Sequence, residues 1–197
     1  MEENRKIVIS FDDGPAPVSA LDAILGVLQK NHIKAEFYVL GSEVRKYPSA
    51  ARLITTKGHK IQNHSWSHAN LAKASEEKVE SELKRTQDVI KETTGEDATK
   101  VRPPYGAGGW PKRYDPELAS IATNLSLRIH NWDIDTEDWK KPRGIGAAKI
   151  EIIKKQLNKT RGKAVLSVLM HVQRETARDL PYFIDYLKKS GFSFRAP

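Results

Sequence analysis

The sequence of 197 residues contains no cysteine, which excludes disulfide bonds and zinc sites built from thiolates. It also lacks any apolar run near the roughly 18 residues that a membrane-spanning helix needs, so no membrane span is predicted. No basic segment followed by an apolar one opens the chain, so no signal peptide is predicted. There is no arginine-rich arm or nucleic-acid-binding motif, which argues against a nucleic-acid partner.

The residues that are present are typical of a globular protein, with 39% hydrophobic and 29% charged residues. The length allows a buried core, and no repeat, low-complexity tract or linker divides the chain, so we predict one domain over residues 1–197. The net charge of +8 favours acidic partners such as an acidic wall polymer. Lysines that only solvate helix faces would explain the same excess.

The start of the chain leaves its location open. Met1 and the charged residues after it suit a native cytoplasmic start. If an export signal has been removed, we expect a secreted, periplasmic or cell-wall protein. The oligomeric state is not predicted by the sequence.

Strand-like and helix-like segments alternate along the chain. The predicted strands, from apolar and β-branched runs, are residues 6–11, 35–40, 60–62, 100–102, 127–133, 165–170 and 192–194. The predicted helices, from apolar spacing and capping residues, are 18–30, 43–57, 76–94, 116–123, 146–158 and 178–189. Residues 106–114 are expected to form a surface loop. Repeated strand–helix units predict an α/β fold, with a closed or nearly closed parallel sheet and helices outside it.

Two clusters far apart in the chain predict a metal site. The first strand ends in Asp12 and Asp13, and the third is followed by His64 and His68, which one helical turn would place side by side. Two imidazoles and one carboxylate are the ligands of an open, hydrolytic zinc-type site. With two adjacent aspartates, one can bind the metal while the other remains free as a base.

Each cluster also has a simpler interpretation. Asp-Asp-Gly-Pro is good turn chemistry, and an aspartate there can cap a helix. An isolated His-x-x-x-His is weaker evidence for a metal than His-Glu-x-x-His. Both clusters nevertheless follow strand ends, where α/β barrels gather their catalytic residues, and together they favour the metal site.

Other strand ends carry further candidates. Arg102 ends the fourth strand, three aspartates and Trp139 follow the strand at 127–133, and His171 follows the strand at 165–170. Taken alone, His171 fits a structural histidine, the aspartates fit solvated loop charges, and Trp139 fits a core or rim aromatic.

Five motifs in order resemble the polysaccharide deacetylases of carbohydrate esterase family four, the NodB-homology fold. They are Ser-Phe-Asp-Asp-Gly-Pro at 10–15, His-Ser-Trp-Ser-His at 64–68, Arg-Pro-Pro-Tyr-Gly at 102–106, Asp-Thr-Glu-Asp-Trp at 135–139 and Leu-Met-His at 169–171. The resemblance covers nearly the whole chain, and five ordered motifs are far more specific than one. It implies a distorted (β/α) barrel of about seven strand–helix units.

The resemblance implies a metal centre and a base. Asp13, His64 and His68 would bind one divalent ion, with Zn²⁺ expected and Co²⁺, Ni²⁺ or Mn²⁺ as alternatives. Asp12 would accept a proton from the attacking water. Arg102 would keep Asp12 ionised and oriented, because an adjacent cation favours the carboxylate.

It also implies an acid and a substrate pocket. His171, oriented by Asp135, would protonate the departing amine, because an amide nitrogen leaves poorly until it is protonated. The metal and the backbone N–H of Tyr105 would stabilise the oxyanion. Leu169 and Trp139 would wall the pocket for the acetyl methyl group.

The chain departs from the family pattern at two places. Val172 follows His171 where many relatives carry an acidic residue, which leaves Asp135 as the expected partner of His171. Residues 108–114 differ from the expected loop and could reshape the substrate groove, so the family's substrate rules need not transfer.

Three functions remain open. The first is a metal-dependent hydrolase that removes N-acetyl groups from GlcNAc-containing polysaccharide. Peptidoglycan is favoured slightly over chitin or chitooligosaccharides, because a basic surface suits a wall that bears peptide carboxylates. The second is an O-acetyl esterase acting on acetylated xylan or a similar glycan. The third, a non-catalytic glycan-binding relative, is disfavoured because every proposed catalytic residue is present.

Overall fold

A computed structural model describes residues 5–197 of the chain. The expectation about the start at Met1 lies outside these residues. The chain divides into two compact units. Of the described residues, the first contains 5–12, 16–36 and 132–197, and the second contains 13–15 and 37–131. Whether residues 1–197 form one domain stays a prediction.

Helices and strands alternate along most of the described chain, as the sequence predicts. The α-helices of the described residues are α1 Val18–Lys30, α2 Gly41–Lys46, α3 Pro48–Thr56, α4 Glu76–Thr94, α5 Pro116–Asn124, α6 Ala147–Lys159 and α7 Arg174–Lys189. The strands are β1 Lys6–Gly14, β2 Glu36–Val39, β3 Lys60–Asn63, β4 Lys100–Val101, β5 Gly109–Trp110, β6 Arg113–Tyr114, β7 Arg128–Ile129, β8 Ile134–Asp135, β9 Val165–His171 and β10 Ser193–Phe194. Within residues 5–197, no helix has both the length and the apolar character needed to cross a bilayer.

The first unit is built on two long parallel strands. β1 pairs with β9 from Lys6 opposite Val165 to Asp12 opposite His171. β8 pairs in parallel with the other edge of β9, and β10 pairs in parallel with β1. The alternate side chains of β1, including Ile7, are fully buried, and helices α1 and α7 pack against each other through their apolar faces. Burial of these apolar side chains gives the unit its core.

The second unit carries four neighbouring strands in the order β7, β4, β3, β2. β4 is parallel to both of its neighbours. The longest helix of this unit is α4. Ser75 accepts the N–H of Lys78 at its N-terminus, and Gly95 takes the left-handed conformation that commonly ends a helix. The apolar side of α4 is buried, with Val79 and Leu83 among its members.

Two predicted helices have different bounds. The helix predicted over 43–57 is two helices, α2 and α3, because Pro48 restricts the preceding Tyr47, whose φ of −127° and ψ of 61° are not helical. The last helix begins at Arg174 rather than at residue 178. Pro181 therefore lies inside α7, a position that proline rarely takes in a helix.

One predicted strand and one predicted loop also differ from the structure. The strand predicted over 127–133 is only the two-residue β7, and the chain forms strand again at β8. The loop predicted over 106–114 contains the antiparallel pair β5–β6, with Gly109 opposite Tyr114. Gly109 lies so close to the rest of the unit that an added Cβ would be 2.6 Å from Pro103 Cγ. The hairpin therefore depends on glycine to pack there.

Candidate active site

The three predicted metal ligands converge in the second unit. Asp13 lies near the end of β1, and His64 follows β3 directly. The Nε2 atoms of His64 and His68 lie 3.5 and 3.4 Å from the same oxygen, Asp13 Oδ1. One ligand atom from each of the three residues lies within 4.8 Å of the others. Asp13 Oδ1 is buried and has no hydrogen-bond partner.

These residues fit a divalent ion. Ligand atoms at about 2.0–2.2 Å from a tetrahedral Zn²⁺ are roughly 3.3–3.6 Å apart, and the two imidazole–carboxylate separations of 3.5 and 3.4 Å match that spacing. A buried carboxylate oxygen without a partner is costly, and a cation between it and the two imidazoles would satisfy it.

His64 is prepared as a neutral ligand. Its Nδ1 donates to the carbonyl oxygen of Arg102 at 2.6 Å, which leaves the lone pair on Nε2 facing Asp13. Burial lowers the pKa of His64 to about 3, although the carboxylate of Asp13 acts in the opposite direction. His64 is therefore neutral near pH 7, as a metal ligand must be, and its contact with Asp13 is not an ion pair.

Tyr105 lies directly behind the second imidazole. Its hydroxyl is 3.2 Å from His68 Nδ1, and the two rings meet edge to face with centroids 4.8 Å apart. The opposite nitrogen of His68 faces Asp13. Each imidazole ligand thus has a partner on Nδ1 that fixes its ring, an arrangement typical of metal-binding histidines. The expected role of the Tyr105 backbone N–H stays a prediction.

The two histidines do not lie on a helical turn, so that part of the prediction was wrong. Residues 64–68, which we call the ligand loop, have no regular secondary structure. Ser65 and His68 have φ of 69° and 61°, and the neighbouring motif residues Asp13 and Tyr105 have φ of 67° and 62°. Left-handed backbone is uncommon outside glycine and clusters at functional sites.

Arg102 is fully buried at the end of β4. Its guanidinium stacks 3.9 Å from the centre of the Tyr38 ring, and its Nε and Nη2 donate to the carbonyls of His130 and Asn131 at 3.3 and 3.4 Å. A guanidinium stays charged when buried and is stabilised by an aromatic face. The role implied for this charge toward the base stays a prediction.

The first unit brings Asp12 and His171 side by side, because they are register partners in β1 and β9. Asp12 is buried, and its carbonyl accepts the N–H of Val172 at 3.0 Å. The imidazole of His171 donates from Nδ1 to Asp138 Oδ1 at 2.8 Å, and its backbone N–H donates to Asp138 Oδ2 at 2.8 Å. Asp138 is fully buried and therefore holds His171 in one orientation.

Asp138, which the sequence analysis did not single out, makes the contact expected of Asp135. Asp135 lies opposite Leu169 in the register of β8 and β9, so the chain must continue past it to reach His171. The Asp135 carboxylate accepts the N–H of Glu137 at 2.7 Å instead. Burial raises its pKa, while the nearby His171 acts to lower it. Two aspartates three residues apart in one motif gave no means of ranking them.

The two expected pocket residues differ in exposure. Leu169 is buried in β9, and Trp139 is 49% exposed with Lys140 Nζ 5.2 Å from its ring centre. The segment after Trp139 is held in place by Lys149, a buried lysine whose ammonium donates to the carbonyls of Lys140 and Pro142, both at 2.7 Å. Burial lowers the pKa of Lys149. Whether Trp139 and Leu169 wall an acetyl pocket stays a prediction.

A carboxylate completes the support of this segment. Asp179 on α7 accepts the backbone N–H of Ile145 at 2.8 Å and pairs with the guanidinium of Arg178 at 2.6 Å. Gly144, with φ of 96°, lies so close that an added Cβ would be 2.2 Å from Asp179 Oδ2. Glycine is required there because both the backbone conformation and the space exclude a side chain.

Comparison with known proteins identifies relatives of the whole chain. The family profile described as polysaccharide deacetylase matches residues 2–130, which include the first three motifs. A peptidoglycan-N-acetylglucosamine deacetylase, PgdA, from Listeria monocytogenes is 35% identical over 192 residues, covering 97% of this chain and 38% of that protein. This chain therefore spans less than half of that relative's length.

Two further relatives extend the comparison. The structure of peptidoglycan deacetylase PdaC from Bacillus subtilis superposes with a TM-score of 0.78 at 31% identity, over 98% of this chain and 88% of that one. A chitooligosaccharide deacetylase from Rhizobium leguminosarum bv. trifolii is 33% identical over 140 residues, or 71% of this chain and 62% of that protein. The predicted distorted (β/α) barrel of carbohydrate esterase family four is confirmed.

Proposed function

The chain belongs to the polysaccharide deacetylase family, and we propose that it is a metal-dependent hydrolase that removes N-acetyl groups from a glycan containing N-acetylglucosamine. The reaction hydrolyses a carbon–nitrogen bond other than a peptide bond. The observation that carries the proposal is the convergence of His64 Nε2 and His68 Nε2 on the unpartnered, buried Oδ1 of Asp13. We propose that residues 1–197 act as one deacetylase domain.

Asp13, His64 and His68 would hold one divalent ion, with Zn²⁺ proposed first and Co²⁺, Ni²⁺ or Mn²⁺ as alternatives. A bound ion would polarise the acetyl carbonyl and make a water more acidic. The neutral state of His64 and the partners on both Nδ1 atoms support this assignment.

Asp12 is the proposed base and His171 the proposed acid. Asp12 accepts a proton from the attacking water, and His171 donates a proton to the departing amine nitrogen. Their register pairing supports the division, because it places the two groups on neighbouring strands of one sheet. Asp138 holds Nδ1 of His171, so the proton to be donated is carried on Nε2.

The remaining motif residues act on the substrate. The backbone N–H of Tyr105 is proposed to donate to the oxyanion, and Arg102 to keep the base ionised. Trp139 and Leu169 are proposed to contact the acetyl methyl group. Asp135 is proposed as a second carboxylate near His171. The charge of His171 acts to lower the pKa of Asp135.

Peptidoglycan is the proposed substrate in preference to chitin or chitooligosaccharides. The net charge of +8 suits a polymer that carries peptide carboxylates. The relatives from Listeria monocytogenes and Bacillus subtilis are both named as peptidoglycan deacetylases, whereas the one from Rhizobium leguminosarum bv. trifolii is named for chitooligosaccharides.

Acetate release from peptidoglycan, chitooligosaccharides and acetylated xylan tests the proposal. The metal-stripped protein and the protein reloaded with Zn²⁺ are assayed in parallel, with His68→Ala as the control that lacks a ligand. We expect release from peptidoglycan only after reloading, and none from the control. Release from xylan alone would establish an O-acetyl esterase, and glycan binding without any release would establish a non-catalytic relative.

A further inference from the structure

The ligand loop is irregular, so its backbone groups need partners that a helix or strand would otherwise supply. On one side, the N-terminus of α2 supplies donors. The N–H groups of Gly41 and Ser42 donate to the carbonyls of Ser65 and Trp66 at 3.0 and 3.1 Å. The carbonyls in the middle of the loop are therefore satisfied by a helix N-terminus, whose first N–H groups have no partner within the helix.

The N–H of His64 donates to the carbonyl of Val39, whereas the other four N–H groups of the loop donate to side chains. Ser65 N–H donates to Asn63 Oδ1 at 2.9 Å, and His68 N–H donates to Ser65 Oγ at 3.1 Å. The two N–H groups between them, those of Trp66 and Ser67, both donate to one carboxylate oxygen, Glu82 Oε2, at 2.8 and 2.7 Å. Trp66 and Ser67 are two of the three residues that lie between the ligands His64 and His68.

Glu82 is placed for this contact by its burial. Its side chain is only 1% exposed, and its second oxygen accepts the hydroxyl of Ser67 at 2.7 Å and the ammonium of Lys78 at 2.8 Å. A carboxylate is rarely buried to this extent unless its charge is compensated. Four donors therefore hold Glu82, and three of them belong to the ligand loop.

The packing around the loop leaves it little room to adopt another position. An added Cβ on Gly41 would lie 2.5 Å from Trp66 Cε3 and 2.6 Å from Thr86 Oγ1. On the side of α4, the guanidinium of Arg85 stacks 4.0 Å from the centre of the Trp66 ring. The loop is thus held between α2 and α4, and Glu82 is the polar attachment on the side of α4.

We propose that Glu82 is a positioning residue for the metal centre, which fixes the ligand loop so that the Nε2 atoms of His64 and His68 converge on Asp13. This inference rests on the metal site of the proposed function. Without the carboxylate, the adjacent N–H groups of Trp66 and Ser67 would lose their acceptor. The left-handed conformations of Ser65 and His68 persist only while their surroundings enforce them, so the loop would relax and separate the imidazoles.

Titration of the metal-stripped protein with Zn²⁺ against a chromophoric indicator tests this role directly. Glu82→Gln preserves the shape of the side chain but replaces one of its acceptor oxygens with an amide N–H₂, which cannot accept a hydrogen bond from the donor that faces it. We expect its Kd for Zn²⁺ to rise about 10-fold to 100-fold, as for other residues that orient metal ligands. The absorption spectrum of bound Co²⁺ should also change, because it reports the arrangement of the ligands.

Two controls on the same helix separate positioning from stability. Glu80→Gln removes an exposed carboxylate and should leave both Kd and melting temperature unchanged. Ile90→Ala removes a fully buried side chain and should lower the melting temperature without changing Kd below the transition. Should Glu82→Gln fail to fold, Ser67→Ala removes one of the three loop contacts and should raise Kd by a smaller factor.

The outcomes separate this inference from the proposed function. If the unaltered protein binds no Zn²⁺ and no Co²⁺, the metal site itself is wrong and this inference is wrong with it. If the unaltered protein binds Zn²⁺ and Glu82→Gln binds it equally well with an unchanged Co²⁺ spectrum, only the positioning role is overturned. An unchanged Kd in Ser67→Ala would overturn it in the same way if Glu82→Gln does not fold.

Discussion

The two units hold their imidazoles by different means. His171 ends β9, a strand whose register with β1 is continuous from Lys6 to Asp12, so the backbone ladder of a sheet positions it. His64 and His68 flank residues outside regular structure, and side-chain acceptors and left-handed backbone position them. The backbone of the proposed acid is thus set by regular strand pairing, with Asp138 orienting its ring, whereas the backbone of the metal ligands depends on individual polar side chains.

This difference predicts whether a substitution will change the positions of other residues in the site. A sheet register is shared by many hydrogen bonds, so a changed side chain at its end alters the chemistry and leaves the alignment in place. The ligand loop has few hydrogen bonds, and the N–H groups of residues 65–68 each donate to one identifiable side chain. Loss of one such side chain should therefore displace the metal ligands, although the substituted residue is not itself a ligand.

The largest effect is expected where the two arrangements meet in sequence, at Asp12 and Asp13. Asp12→Asn should lower turnover by about 10³–10⁴-fold while Zn²⁺ affinity is retained, because it removes only the base. Asp13→Asn should lose turnover and Zn²⁺ affinity together. Acetate release and indicator titration on both variants make the comparison, and equal loss of Zn²⁺ affinity in the two would contradict the division of roles.

His171→Ala is expected to lower deacetylation of a glucosamine amide by about 10²–10³-fold, because it removes the general acid. An aryl acetate with a good leaving group needs little protonation and should lose only a few-fold. Both substrates are assayed with the same Zn²⁺-loaded preparation. Equal losses on the two substrates would mean that His171 acts in binding or in placement of the metal instead.

Asp138→Asn sharpens the comparison within the first unit. It should lower amide turnover by roughly 10-fold to 100-fold, less than His171→Ala, because it frees the imidazole without removing it. Asp135→Asn serves as the matched variant and should have a smaller effect, since its carboxylate accepts from Glu137. Amide turnover across a range of pH is the measurement, and a larger loss in Asp135→Asn would restore the assignment made from the sequence.

The smallest effect concerns acid stability, and it compares one carboxylate from each unit. Burial alone would raise the pKa of Glu82, but hydrogen bonds from Lys78 and Ser67 outweigh it and lower the pKa. The Arg178 guanidinium lowers the pKa of Asp179. A carboxyl group whose pKa is lower in the folded protein than in the unfolded chain stabilises the fold above its unfolded-state pKa of about 4. This stabilisation is lost as the pH falls through the folded-state pKa.

Glu82→Gln and Asp179→Asn should therefore each reduce the free energy of unfolding by about 1–3 kcal/mol at pH 7, and by progressively less below pH ~4. Urea denaturation of each variant and the unaltered protein at pH 7 and at acid pH measures the difference. Glu80→Gln, with its exposed carboxylate, should match the unaltered protein throughout. A deficit in either variant that persisted unchanged at pH 3 would show that its ionised carboxylate is not the cause.

Much of the fold follows from local sequence patterns. The apolar runs of β1 and β9 and the spacing of α1 are strong enough that their predicted and observed bounds nearly agree. The break at Tyr47 was missed because α2 and α3 continue one helical pattern, and only the proline separates them. Short strands such as β7 were overestimated, since apolar composition does not show where pairing stops.

The candidate site was predicted in its composition but not in its support. The ligand types and their place at strand ends could be identified from residue chemistry. Asp138 could not, because the choice between two aspartates depends on the register of β8 with β9. Glu82 lies in a stretch of alternating charges that fits a solvated helix face, and its burial results from tertiary packing against the ligand loop.

The hydrogen bond from Val172 N–H to the carbonyl of Asp12 has a consequence for the lifetime of the site. This amide lies one residue beyond the pairing of Asp12 with His171, so its proton can exchange with deuterium only when β1 and β9 separate. The exchange rate of this proton therefore reports how often the alignment of the proposed base and acid is lost. Since the same two strands form the core of the first unit, that alignment should last as long as the fold itself, with no separate closing motion to assemble it.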